Sequence, residues 1–211
     1  MGKLAEHLAG RFIVIDGPDG AGKTTQLDRV EAALCAAGCC VQRAIDPGGT
    51  PTGQRIRDIL LHGKELDICP LCETFLFMAS RAQLVQEIVK PALAQKKVVL
   101  CDRFVSSTVA YQGALGIDPR FIIDLGGKAV QGFWPDLTVI LDMPAETGLQ
   151  RVGPERDRLE SRSDEYHRAV RDGFIKLGQT YPSQVVHVDA IGTMDEVTQK
   201  VISVLEHAIF H

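Results

Sequence analysis

The feature that most constrains this chain is a junction. A short apolar run, RFIVID (Arg11 to Asp16), passes without a spacer into GPDGAGKTT (Gly17 to Thr25), and a helical pattern starts at once. Gly17-x4-Gly22-Lys23-Thr24 has the spacing of a phosphate-binding loop, which works only when a strand delivers it and a helix N-terminus closes it. In such a loop the backbone N–H groups of Gly17, Pro18 to Ala21 and Gly22 surround phosphate oxygens, with proline contributing none. Lys23 reaches the terminal phosphates, and the hydroxyls of Thr24 and Thr25 face the ligand, Thr24 holding Mg²⁺. The ATP-type site is therefore read as Gly17, Pro18, Asp19, Gly20, Ala21, Gly22, Lys23, Thr24 and Thr25. A nucleoside triphosphate with magnesium is implied.

The rest of the chain repeats the strand-then-helix rhythm. Val41 to Ile45, Lys97 to Asp102, Asp136 to Asp142 and Gln184 to Asp189 are short, β-branched and bounded by turn residues. Lys23 to Ala37, Pro70 to Ala94 and Thr193 to Ala208 read as helices, the last with capping-box spacing between Thr193 and Glu196. Alternation of this kind predicts an α/β protein with a five-stranded parallel sheet and helices on both faces, and 211 residues predict one domain, 1–211. No apolar run is long enough for a bilayer and no export signal is legible, so the expected address is cytoplasmic. A net charge of −4 gives no field to gather nucleic acid, which favours a small phosphate ligand held by local cations. Six cysteines read as reduced thiols; Cys69 and Cys72 form a single CxxC without a second pair at zinc spacing.

Asp102 ends the run VVLC and is followed directly by Arg103, a pairing expected beside a metal and reacting phosphates. The loop contributes no cation beyond Lys23, so further positive charge must come from elsewhere. The charged segment Gly153 to Ser163 reads as a mobile surface segment, with Arg151, Arg156 and Arg158 in or beside it, and predicts a lid over about 151–163. DxxG patterns occur at Asp124 to Gly127 and Asp189 to Gly192 without an NKxD guanine-reading motif, which disfavours a GTPase switch.

Taken in order, GPDGAGKTT, DPGGTPTGQRIR, FLFMASRAQL, CDRFVSSTVAYQG, FWPDLTVILDMPAETGLQR and DRLE resemble the thymidylate kinases, from about Phe12 to the last helix. The resemblance implies the nucleoside monophosphate kinase fold with a short lid, transfer of the γ-phosphate of ATP to dTMP with Mg²⁺, and a homodimer. It implies a bacterial-type enzyme with the catalytic arginine in the lid. By position, Asp19 would contact the deoxyribose 3′-hydroxyl, and Arg57 and Arg103 would hold the monophosphate. Phe77 would stack on thymine, while Arg81, Thr108 and Gln112 would bond to its edge or to nearby phosphate. Tyr111 would crowd the 2′ position. The catalytic set implied is Lys23, Asp102, Arg103 and a lid arginine, Arg156 or Arg158, with Thr24 and Asp102 at the metal, Asp102 directly or through water.

Two departures stand out. Ile45 and Asp46 occupy the places where the family often has Arg-Glu, and the lid is shorter than in many relatives. Two rival readings stay open on sequence alone: a kinase for another nucleoside monophosphate, and a nucleotide-dependent switch or binding protein.

Overall fold

The computed structural model describes residues 2–153 and 157–210. Its centre is a parallel sheet of β1 (Phe12–Asp16), β2 (Val41–Ile45), β3 (Val98–Asp102), β4 (Leu137–Asp142) and β5 (Val185–Asp189), in the order β2-β3-β1-β4-β5. Four of the strands begin one residue later than the apolar pattern suggests. The residues left outside are polar, and two of them meet: Arg11 Nη1 donates to Asp136 Oδ1 at 2.8 Å, clipping the starts of β1 and β4 together.

Alternation along β1 sorts the helices onto two faces. Phe12 and Val14 pack on one side with α4 (Pro70–Leu84), α6 (Val105–Gly113), α7 (Pro119–Val130) and α9 (Asp164–Thr180). Ile13 and Ile15 pack on the other with α1 (Lys3–Leu8), α2 (Lys23–Ala36) and α10 (Met194–His207). The four apolar β1 side chains are fully buried, and each such burial contributes ~1.5–3 kcal/mol. Further short helices are α3 (Pro51–Arg57), which runs on into a π turn at Asp58–His62, α5 (Lys90–Ala94) and α8 (Ala145–Arg151). The capping box read at Thr193 is present, with its hydroxyl accepting from the Glu196 N–H and the Glu196 carboxylate accepting from the Thr193 N–H.

The expected helix Pro70 to Ala94 is not continuous. It runs as α4, passes through a π turn at Val85–Val89 and resumes as α5. Pro91 explains the break, since its ring lacks an N–H and collides with the carbonyl four residues back, so the backbone widens by one residue to pass it.

β1 lies between β3 and β4, and the chain leaves it first toward one side and later returns to the other. Ligands of open parallel sheets collect at the carboxyl ends of strands at such a reversal. Gly17 to Gly22 and Arg103 both start there, because Ile15 pairs in register with Asp102.

The charged segment after α8 differs from the surface segment expected of it. Residues 157–163 form turns laid against the domain, with Leu159 buried beside Leu60, Leu61 and Phe77. The Arg158 N–H donates to the Leu61 carbonyl at 3.1 Å. One apolar residue in a charged stretch is enough to dock it when a matching pocket waits. Arg156 lies outside the described residues.

Candidate active site

The loop after β1 curls over the N-terminus of α2. Gly22 caps that helix with φ 85°, and Gly20 takes φ 74°, a conformation glycine adopts without steric cost. Lys23 Nζ bridges the loop, donating to the Gly17 carbonyl at 3.0 Å and the Pro18 carbonyl at 2.7 Å. Burial pushes its ammonium down to about 8, with Arg103 adding to the effect against the pull of Asp19, Asp102 and Asp16. The side chain is therefore poised to gain an anionic partner.

Asp16, the last residue of β1, is fully buried and organises the neighbouring strand's exit. Ser106 Oγ donates to its Oδ2 at 2.5 Å, Ser107 Oγ to its Oδ1 at 2.7 Å, and the Gly17 N–H to Oδ1 at 2.8 Å. The start of α6 is thus tied to the phosphate loop. Arg103, between β3 and α6, sits at φ 62°, a strained position for a non-glycine residue that costs of order 1–3 kcal/mol. That backbone turn aims its guanidinium along the loop. Nη1 donates to Gly17 O at 3.2 Å, Ser107 Oγ at 3.0 Å and Tyr111 Oη at 3.2 Å, and Nη2 to Asp19 Oδ1 at 2.6 Å. Burial opposes its charge, but Tyr111, Asp19, Asp16 and Asp102 hold Arg103 protonated. Burial likewise opposes the Asp19 carboxylate, and Arg103 and Lys23 outweigh it, so that group lies below the usual carboxylate range.

A second set of side chains faces this one. Arg57, at the end of α3, donates from Nη1 to the Pro47 carbonyl at 2.9 Å. Arg81 on α4 is buried and ties three elements together: Nε donates to Asp46 Oδ2 at 2.7 Å, and Nη2 to the Phe104 carbonyl at 2.9 Å and Thr108 Oγ1 at 3.1 Å. Asp46 is the shorter residue noted in the sequence, and here it serves as the buried counter-ion of Arg81. Burial raises its carboxyl above the usual range, with Arg81 pulling against that. Between the two sets runs one cavity of about 570 Å³, within the range that suits small-molecule ligands. Its walls carry Asp19 to Thr25 of the loop together with Arg57, Phe77, Arg81, Asp102, Arg103, Thr108 and Gln112.

A family model described as thymidylate kinase matches residues 15–201. The chain belongs to the thymidylate kinase family. A thymidylate kinase of Deinococcus radiodurans is 44% identical over 195 residues, covering 91% of this chain and 94% of that one. One from Syntrophotalea carbinolica is 41% identical over 199 residues, covering 90% and 92%. The crystal structure of thymidylate kinase from Ehrlichia chaffeensis superimposes with a TM-score of 0.76 at 33% identity, over 94% of this chain and 99% of that one.

Against the family expectations, Asp19 to Thr25, Arg57, Phe77, Arg81, Asp102, Arg103, Thr108, Tyr111 and Gln112 all reach the cavity wall. Gly17 stands behind it, and a Cβ there would meet the Leu141 carbonyl oxygen at 2.5 Å. Pro18 presents its carbonyl to Lys23. Of the arginines expected in a lid, Arg151 is on the wall. Arg158 is engaged elsewhere, donating from Nε to the Leu60 carbonyl at 2.9 Å and from Nη1 to Glu73 Oε1 at 2.6 Å.

Sequence reasoning passed over several residues that hold this kinase site together. In the sequence Asp16 reads only as the end of a strand, and Ser106 and Ser107 only as part of the CDRFVSSTVAYQG stretch. His167 is buried with Nδ1 3.9 Å from Asp19 Oδ2. Glu73 and Arg162 belong to the same class, and their bonds reach across 39 and 89 residues. For the serines the one usable signal was adjacency to the Asp-Arg pair at 102–103.

Proposed function

We propose that this chain transfers the γ-phosphate of ATP to dTMP, giving ADP and dTDP. The observation that carries the reading is one cavity lined both by the glycine loop with Lys23 and by the side chains of Arg57 and Arg103. A switch protein has no use for a second phosphate clamp.

In this reading the loop N–H groups and Lys23 hold the donor, while Arg57 and Arg103 draw the acceptor phosphate into line with it. The acceptor oxygen is already a nucleophile, so the chemistry needs alignment and charge neutralisation more than a base. Lys23, with its ammonium held near 8 until an anion arrives, follows the charge as it moves to the bridging oxygens. Arg151 at the cavity wall adds positive charge from the lid side. Arg158, held by Glu73 and Leu60, acts as an anchor rather than at the phosphates.

Thr24 and Asp102 would hold Mg²⁺. Asp102 Oδ1 is buried without a protein partner in the cavity wall, which fits a magnesium or magnesium-bound water ligand. One carboxylate and one hydroxyl suffice for an ion that takes its remaining ligands from water and phosphate. The ion would neutralise charge shared between β- and γ-phosphates.

Phe77 offers its face and Arg81, Thr108 and Gln112 their polar edges to the base, and Tyr111 walls off the sugar. The homodimer implied by the family has a candidate surface on α4 and α7, where exposed Phe75 and Phe121 meet edge to face at 6.5 Å. Among the described residues no helix is long and apolar enough to cross a membrane, and we place the enzyme beside its nucleotide substrates in the cytoplasm.

A coupled ADP-release assay across dTMP, dUMP, UMP, CMP, AMP and GMP tests the proposal. Turnover is expected to be greatest with dTMP. ADP release with another acceptor in preference, or with none, overturns it.

A further inference from the structure

Glu73 is a carboxylate with no exposure at all, lying in the apolar helix α4 outside the phosphate machinery. Its two oxygens serve different parts of the molecule. Oε1 accepts from Arg158 Nη1 and Arg162 Nη2, both at 2.6 Å, and both donors come from the segment that follows α8. Oε2 accepts from Gln112 Nε2 at 3.1 Å, and Gln112 stands in the cavity wall. Such a buried charge persists only when it is paired and hydrogen-bonded, and here two guanidinium groups and an amide do so.

The consequence falls on Gln112. A side-chain amide has one donor end and one acceptor end, and either could in principle face the cavity. With a carboxylate fixed behind it, the NH₂ must turn to Glu73, because the reverse orientation sets two oxygens against each other. The acceptor end is then committed, and Gln112 Oε1 is buried with no partner in the protein. A fixed buried acceptor selects a ligand with a ring N–H at that place and rejects one with a lone pair there.

We propose that Glu73 is a positioning residue that locks the Gln112 amide as an acceptor toward the base, and that couples this lock to the docked lid segment through Arg158 and Arg162. The inference rests on the dTMP reading, since thymine carries an N–H at N3 where cytosine carries a lone pair. The lid side has its own support. Leu159 is buried between the two arginines in sequence, and the Arg162 guanidinium lies 4.9 Å over the Tyr166 ring. Losing the carboxylate would therefore loosen both ends together.

Two variants test it. Glu73→Gln gives Gln112 a partner that accepts either amide orientation. Glu73→Asp keeps the negative charge but withdraws the carboxylate by one methylene from Gln112 and from both arginines. The readout is the ratio of kcat/KM for dTMP to that for dCMP, with kcat and KM separated. Each folded variant is expected to lose about tenfold of that ratio, the worth of one hydrogen bond, chiefly through KM for dTMP. Trypsin cleavage after Arg158 reads the coupling, and it should accelerate several-fold in both variants while dTMP slows it in the wild type. A uniform loss of rate with the ratio intact would mean that Glu73 only supports the fold, which overturns the proposal. Unaltered cleavage overturns the coupling. A wild-type chain with no preference for dTMP over dCMP overturns the substrate reading and this one together; a preference that survives both substitutions overturns this one alone.

Discussion

Gly20 and Gly22 offer a controlled comparison inside one loop. Both are left-handed, at φ 74° and 85°, so alanine at either costs ~1–2 kcal/mol of backbone strain. Their surroundings differ. A Cβ on Gly20 would sit 2.0 Å from the Gly148 carbonyl oxygen and 2.5 Å from its carbon, whereas on Gly22 it would meet nothing within 4 Å. The obstacle at Gly20 is backbone, in helix α8, and cannot rotate away. Separating loop and helix adds the cost of an overpacked contact, ~1–3 kcal/mol, so Gly20→Ala should lose ~2–5 kcal/mol in all. For a domain of this size each kcal/mol shifts Tm by ~2–4 °C, giving ~2–8 °C for Gly22→Ala and ~4–20 °C for Gly20→Ala. Thermal and urea unfolding of the nucleotide-free proteins measure both. Substrate is left out so that the difference reports packing alone. Equal losses in the two variants would refute the claim that α8 is seated directly on the phosphate loop.

Lys23→Met should remove turnover and also alter the pH dependence of stability. Lys23 has its folded value lowered to about 8 from 10.5, so between those values the unfolded chain binds the extra proton and the wild type gains stability as pH rises. Urea midpoints at about pH 7.5 and about pH 10 should show this gain in the wild type relative to the variant, and parallel profiles would contradict it. Arg103→Ala is expected to raise the Kd for dTMP far more than that for ATP by calorimetry, because its guanidinium lies between loop and acceptor side; equal losses would count against that placement. Arg81→Leu strands the buried Asp46 and should cost ~3–5 kcal/mol, with much of it recovered by adding Asp46→Asn. Additive losses in the double variant would show that the two residues do not act as a pair.

Much of the donor end was legible because its chemistry is local. A glycine loop, its lysine and its strand are contiguous, and the β-branched strands announce themselves by composition. The proposed acceptor end was readable chiefly through the family resemblance, since Arg57 and Phe77 come from separated elements with no local signal of their role, and Arg103 had only its adjacency to Asp102. The break of the long helix was readable in principle from Pro91, but the helical pattern on either side of it concealed a one-residue widening. Glu73 could not be recognised at all. A lone acidic residue in an apolar helix reads as a solvated position, and only the return of Arg158 and Arg162 from far along the chain reveals that it is interior. The docking of residues 157–163 was hidden for the same reason, because charge density dominated the reading and Leu159 was a single exception.

The ties made by Asp16 bear on how the molecule can be inhibited. Ser106 and Ser107 fasten helix α6 to the very strand that ends in the phosphate loop, and Arg103 stitches the same junction from the end of the adjoining strand. In the proposed reading, these ties fix the distance from the phosphate loop to Arg103, the part of the acceptor clamp carried by the neighbouring strand. Compounds that bridge both nucleotides should show a sharp optimum in the number of linking phosphates, falling away steeply on either side, whereas changes confined to the lid should alter how fast such compounds enter and leave without moving that optimum.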